Sequence, residues 1–194
     1  MTPTPIAKGL YRRLTRFLRR LPYALLSQNV RVQGKPHTYQ PVLMMGKGQI
    51  RFDSNVRIGV TSSPGFWSTN CCLESRSEGA AIRIGKTTWI NNGFAAIAEK
   101  AEINSGANCL IGHDALILDS NFDDLNPGTR HGGGMVEVGN VEISDTVFFG
   151  SRVTIRKNSV IGSGTVFAAG AVVAGRFPEN CVIGGNPAVI NRRL

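Results

Sequence analysis

The feature that most constrains this chain is a ladder of large apolar residues six apart near its C-terminus. Ile143, Phe149, Ile155, Ile161, Phe167 and Val173 are the rungs. Four residues after each of the first five stands a smaller side chain: Val147, Val153, Ser159, Thr165 and Ala171. Glycine follows two rungs directly, at Gly150 and Gly162. A period of six fits neither the 3.6 of an α-helix nor simple strand alternation. It fits a chain laid down in short flat faces, each turning one large and one small side chain inward, with three hexads to a turn.

The ladder extends upstream through Ile90 and Ala96, through Ile111 and Ile117, and more faintly through Phe52 and Ile58. Ser105 occupies a rung, and Ser144, Arg156 and Ala168 stand where a corner glycine is common. Two stretches interrupt the repeat, near 60–81 and at 119–135. The second, from Asp119 through Phe122, Asp123, Pro127 and His131 to the glycines at 132–134, is polar and long enough to read as a projecting functional loop. Twenty-three glycines suit many tight corners, and 194 residues suffice for one core. No apolar run is long enough to span a bilayer. Cys71, Cys72, Cys109 and Cys181 lack metal-ligand spacing and read as reduced buried thiols, with Cys109 at a small inward position.

Charge divides the chain. The first 52 residues hold ten Lys and Arg and no Asp or Glu, so the net +9 arises there. Leu10, Leu14, Phe17, Leu18 and Leu21 mark one face of a helix, and Arg12, Arg13, Arg16, Arg19 and Arg20 crowd the rest, with Pro22 expected to end it. Three roles compete: a cap over the base of the coil, contact with an anionic membrane surface, and nucleic-acid binding. No aromatic-basic interleaving supports the third, so no nucleic-acid partner is expected.

The hexads resemble those of the hexapeptide-repeat acyltransferases. The ending Phe177-Pro178-Glu179-Asn180-Cys181-Val182-Ile183-Gly184-Gly185-Asn186-Pro187-Ala188 is similar to the close of the maltose, galactoside and nodulation O-acetyltransferase branch. The resemblance covers about residues 50–190. It implies an all-β fold, a left-handed parallel β-helix with a short N-terminal amphipathic helix and a projecting loop. The expected organisation is a basic helix and linker over 1–35, the acyltransferase coil over 36–190 with its loop at 119–135, and a basic tail at 191–194. The resemblance further implies a homotrimer with sites between neighbouring prisms, and acetyl-CoA as co-substrate without a metal. The implied acceptor is a saccharide hydroxyl in surface polysaccharide or glycan biosynthesis, on a saccharide or lipid-linked sugar. The implied location is cytoplasmic, with peripheral contact at the inner membrane face through the basic N-terminus.

Acyl transfer to a hydroxyl needs a general base and a hydrogen-bond donor for the oxyanion. The chain departs from the family pattern here. Aligning Leu125-Asn126-Pro127 with the family's L-D-P places Asp123 where the branch carries its histidine. The candidate substitutes are His113, on the coil before the loop, His131 within it, and Asp119 or Asp123 as carboxylates. Asn92, in Ile90-Asn91-Asn92-Gly93, matches a family position in the acceptor pocket, with Asn91 one register away. Phe148, Gly150, Ser151, Ala168, Ala169 and Gly170 match the family's pantetheine wall, and Arg176 is among the basic residues available for CoA phosphates. Two readings stand beside O-acetylation: an amino-sugar N-acetyltransferase, whose neutral amine needs a weaker base, and a catalytically silent scaffold. A zinc enzyme on this coil would need three histidine ligands, and the chain's three, His37, His113 and His131, lack close spacing.

Overall fold

The computed structural model describes residues 4–131 and 134–194; residues 1–3, and Gly132 and Gly133 of the loop's glycine run, lie outside the described residues. The chain winds as a three-faced prism of parallel strands. The first face is a seven-stranded sheet from Val32–Gln33 to Arg176–Phe177. The second runs from His37–Thr38 to Cys181–Gly185, with Ala188–Arg193 added antiparallel as an eighth strand. The third has six strands, from Val42–Met45 to Val172–Val173.

Each turn bonds to the next, and the register is that of the ladder. Ile143 pairs with Ile161, Phe149 with Phe167, and Ile155 with Val173, each eighteen residues on. All six rungs are buried, as are the smaller residues between them. Phe149 and Phe167 stack with ring centroids 5.4 Å apart. Each buried ring of this size contributes on the order of 2–3 kcal/mol of transfer free energy. The polar members of the small set satisfy themselves locally: Ser159 Oγ donates to Arg156 O (2.6 Å) and Thr165 Oγ1 to Pro178 O (2.9 Å). Between faces the backbone reverses through left-handed residues, among them Asp114 (φ 54°), Arg152 (φ 57°) and Asn158 (φ 61°). At Gly112 a Cβ would lie 2.4 Å from Gly150 O, so this corner must be glycine for successive turns to stack.

Two insertions leave the prism at different edges. Residues 59–70 leave the edge between the second and third faces. Residues 119–140 leave the edge between the third and first. The first interruption is shorter than the broken ladder suggests, because Cys71–Ser75 is a regular strand of the third face. The coil also begins earlier, at Val32–Gln33, and the basic tail is part of the closing antiparallel strand.

The helix spans Pro5–Leu26 and runs through Pro22 rather than ending there. Thr4 Oγ1 caps its start, and its end is set at Ser27, whose N–H and Oγ both donate to Tyr23 O. Its orientation is the opposite of a hydrophobic cap. The polar side meets the coil: the Arg19 guanidinium donates to Phe66 O (2.6 Å) and Thr69 O (3.0 Å). The leucine stripe of Leu10, Leu14, Leu18, Leu21 and Leu25 faces outward, 43% to 86% exposed. Only its flank, at Phe17, Leu21 and Ala24, approaches Val42 and Met44, across a cavity of about 310 Å³.

Candidate functional site

The second–third edge collects most of the expected residues. Successive turns bring Asn91, Asn92 and Gly93, then Gly112, His113 and Asp114, then Gly150, Ser151 and Arg152, then Ala168, Ala169 and Gly170 onto it. His113 Nε2 lies 2.9 Å from the Asp114 carboxylate, with the imidazole largely covered (19% exposed) and Asp114 more open (43%). The left-handed backbone of Asp114 folds its side chain back over Gly93, where a Cβ would lie 2.0 Å from Asp114 Oδ1. Glycine at 93 is therefore what lets the carboxylate sit beside the histidine. Bonding through Nε2 leaves Nδ1 as the imidazole's remaining proton acceptor. Above the pair the edge is walled by small side chains, Ser151, Ala168 and Ala169, with Phe148 projecting from the adjoining second face.

Asn92 is on this edge, and its amide is turned away from any acceptor. It is fully buried. Oδ1 accepts from Val60 N–H (3.0 Å), and Nδ2 donates to the carbonyls of Val60 (2.9 Å), Ser63 (3.2 Å) and Pro64 (2.9 Å). Asn91 ties to the same loop through Ser63 Oγ (2.9 Å). Gln40 completes the clasp: Nε2 donates to Gly65 O, Thr69 O and Thr69 Oγ1, while Oε1 accepts from Gly93 N–H and the Cys71 thiol. Gln40 was not anticipated, and no local pattern marks it, because its partners lie 25 or more residues away in the chain. Burial pushes the Cys71 thiol up to about 12, so it is a hydrogen-bonding group and not a nucleophile.

Asp119 likewise has no free carboxylate for catalysis. It is fully buried and accepts from Glu99 N–H (2.8 Å), Lys100 N–H (3.0 Å) and Ala101 N–H (2.8 Å). It closes the corner from which the projecting loop departs. The base of that loop is a short antiparallel clasp, with Asn121 N–H donating to Glu137 O (3.2 Å) and Gly139 N–H to Asp119 O (2.8 Å). Phe122 lies under the Arg76 guanidinium, 4.8 Å from ring centroid to Cζ, and Lys157 pairs with Glu137. At the tip, Asn126 N–H and the Thr129 hydroxyl hold the Asp124 carboxyl below the usual carboxylate range. Asp123 and His131 are both exposed on this loop.

Within one chain, His113 and the loop residues therefore stand on different edges, separated by the third face. Arg176 is set apart as well: it pairs with Val160 on the first face and points outward there, away from Gly150, Ser151, Ala168 and Ala169. Among the described residues no group of three or more His, Cys, Asp or Glu could hold a metal ion.

The chain is 31% identical over 160 residues to WbbJ of Escherichia coli strain K12, a protein assigned by name to lipopolysaccharide biosynthesis O-acetyl transfer; the match spans 79% of this chain and 76% of that one. The chain belongs to the hexapeptide-repeat acetyltransferases. Its fold is the left-handed parallel β-helix of that family, and its enzyme class is acyltransferase. Two solved structures of this fold are similar. The polysialic acid O-acetyltransferase OatWY superposes with a TM-score of 0.59 at 22% identity, covering 86% of this chain and 87% of that one. The hexapeptide-repeat acetyltransferase VCA0836 of Vibrio cholerae, solved with acetyl coenzyme A, gives 0.55 at 22% identity, covering 100% and 93%. No protein-family model matches the chain.

Proposed function

We propose that this hexapeptide-repeat acetyltransferase moves an acetyl group from acetyl-CoA to a saccharide hydroxyl in surface-polysaccharide biosynthesis. The observation that carries the reading is the His113–Asp114 pair on an edge walled by small side chains. Asp114 holds Nε2–H, and His113 Nδ1 takes the acceptor's proton as its oxygen attacks the thioester carbonyl. When the tetrahedral adduct collapses, the imidazolium returns the proton to the departing CoA sulfur. The names of WbbJ and OatWY, and the acetyl-CoA complex of VCA0836, support the substrate class and the co-substrate.

The assembly that fits is a homotrimer. On the outward side of the second face, Leu110 and Phe148 in register leave an apolar stripe exposed on a single chain. A neighbour seated there would bring its own projecting loop, with Asp123 and His131, beside the His113 edge.

No helix among the described residues is long and apolar enough to cross a membrane. The outward leucine stripe, flanked by arginines and with no acidic residue before Asp53, supports peripheral contact with an anionic bilayer surface on the cytoplasmic side.

The test is acceptor-dependent release of CoA thiol from acetyl-CoA by the purified chain, using de-O-acetylated surface polysaccharide, with the ester confirmed by mass spectrometry. Sedimentation should give a trimer. Saturable acetyl-CoA binding without transfer to any saccharide would leave only a silent scaffold. Transfer to an amino sugar in preference to a hydroxyl would replace the ester product with an amide.

A further inference from the structure

Between the helix and the coil runs a cleft that the chemistry above does not use. Its outer part, about 530 Å³, is lined by Arg12, Arg13, Arg16, Thr61, Ser62 and Trp67. Its inner part, about 260 Å³, is lined by Arg16, Tyr39, Arg57, Gly59, Thr61 and Trp89. Arg16 and Thr61 belong to both, so the two parts form one groove. Four guanidinium groups converge on it, and no acidic side chain lines either part. The nearest helix arginine with a structural task is Arg19, which binds Phe66 O and Thr69 O and thereby fixes the helix at this distance from the coil. Trp67 and Trp89 are each nearly half exposed, and the Arg57 guanidinium lies 4.6 Å from the Trp89 ring centroid.

We propose that this groove is the acceptor's anchoring subsite, binding the phosphate of a phosphate-linked saccharide to Arg12, Arg16 and Arg57 and its sugar ring against Trp67 and Trp89. The inference rests on the saccharide-acetyltransferase reading and narrows it to an anionic acceptor. Guanidinium forks match phosphate oxygens in pairs, and an arginine cluster free of carboxylates favours a doubly charged ester over a neutral sugar. An indole offers a broad apolar face to the C–H side of a pyranose while its edge stays wet.

The location ties the groove to the reaction. Gly59 and Val60 form its floor, Asn92 grips Val60 from the next turn, and His113 stands one turn further along the same edge. Adjacent turns are about 4.8 Å apart, so the floor lies about 10 Å from the proposed base. That is the reach of about one to two sugar units. A phosphate held in the groove would place a hydroxyl of the following sugar, rather than of the phosphorylated one, at His113. Membrane contact through the opposite, leucine face of the same helix would leave the groove open beside the bilayer, where a lipid-linked sugar phosphate emerges.

The chain has two tryptophans, and both line this groove, so fluorescence excited selectively at tryptophan reports on it. The protein is titrated separately with glucose 1-phosphate, inorganic phosphate, maltose and a short oligothymidylate. The expected result is a saturable change with glucose 1-phosphate, weaker by about tenfold with inorganic phosphate and absent with maltose. In Arg16→Gln/Arg57→Gln, at unchanged melting temperature, the affinity for glucose 1-phosphate falls by about tenfold or more. In acetyl transfer the same variant raises KM for a phosphorylated acceptor. No saturable change, an unaltered affinity in the variant, or tighter binding of the oligothymidylate than of the sugar phosphate overturns the proposal. The two readings fail separately. Acetyl transfer with kinetics indifferent to Arg16 and Arg57 removes the groove and keeps the enzyme. Sugar-phosphate binding without transfer to any saccharide removes the acetyltransferase reading and keeps the groove.

Discussion

Residues 59–70 and 119–140 are both departures from the same coil, and they are held by different chemistry. The first is bound inward. Two fully buried amides, Asn92 and Gln40, donate through their amide nitrogens to its backbone carbonyls, and its own Phe66 is buried. The second is held at its root by the Asp119 carboxylate and a short antiparallel clasp, and beyond that Leu125 and Met135 are solvent-exposed. An insertion satisfied by buried side chains becomes part of the wall, whereas one satisfied at its root is free to meet another molecule. The first loop therefore shapes the edge that carries His113. The second, in the proposed trimer, would complete a site on a neighbouring chain.

That contrast can be broken most directly at His113. His113→Gln should lower acetyl transfer by about 10²- to 10⁴-fold with little change in melting temperature. Thiol release from acetyl-CoA measures it, with Asp123→Ala and His131→Ala in parallel. If Asp123→Ala abolishes turnover while His113→Gln keeps it, the base belongs to the projecting loop.

Asn92→Ala should show the next largest effect, on stability: about 3 kcal/mol, because three carbonyls and one N–H lose their partner in a buried site. Denaturant unfolding reads the loss, and limited proteolysis should then cut within 59–70. An unchanged midpoint would mean that the loop holds itself without the amide. Asp119→Ala should cost about 2 kcal/mol by leaving three backbone donors without an acceptor, and should loosen the root of the second loop. Replacing residues 125–131 by two glycines should change stability by less than about 1 kcal/mol, since the cost of loop closure varies slowly with length. It should still reduce kcat/KM for the acceptor. A large destabilisation there would show that the tip packs against its own chain.

The smallest effect concerns the buried thiol under the first loop. An unfolded cysteine ionises near its ordinary 9.0, whereas burial delays Cys71 to about 12. The folded state favours the thiol. The stability from that preference is present below pH 9 and declines as pH rises from about 9 toward 12. At pH 8.5 iodoacetamide should leave Cys71 and Cys109, both buried, unmodified in the native protein. Rapid native-state alkylation of Cys71 would mean that the 59–70 loop opens readily.

Much of the architecture was legible in the chain. The six-residue ladder gave the three faces, the inward large and small positions and the eighteen-residue register, and its breaks located both insertions. The chemistry of individual polar residues was less legible. Asn92 read as an acceptor-pocket residue because it matches a family position, and Asp119 as a candidate base because it is a carboxylate at the start of the loop. They are instead the groups that the loops' own unpaired backbone requires. Gln40 carried no signal, and Arg176 read as a CoA contact although its register puts it on a different face. The helix periodicity was correct, but which side met the coil was not implied by it. Arg19 bonds to two partly buried carbonyls of the 59–70 loop, partners about fifty residues along the chain that a helical period does not reveal.

The sequence alone determined what depends on near-neighbour repetition: a hexad recurs, so each strand finds its partner eighteen residues on and the interior fills with Ile, Phe and Val whatever the loops do. The tertiary structure decided everything that depends on partners brought from far along the chain. The His113–Asp114 pair needs Gly93 one turn away to make room for the carboxylate. The groove of arginines and tryptophans exists because residues 12–16, 57–62, 67 and 89 meet. A period is a local property and can be read off a string. A site is a coincidence of distant segments, and only the folded chain brings them within hydrogen-bonding distance.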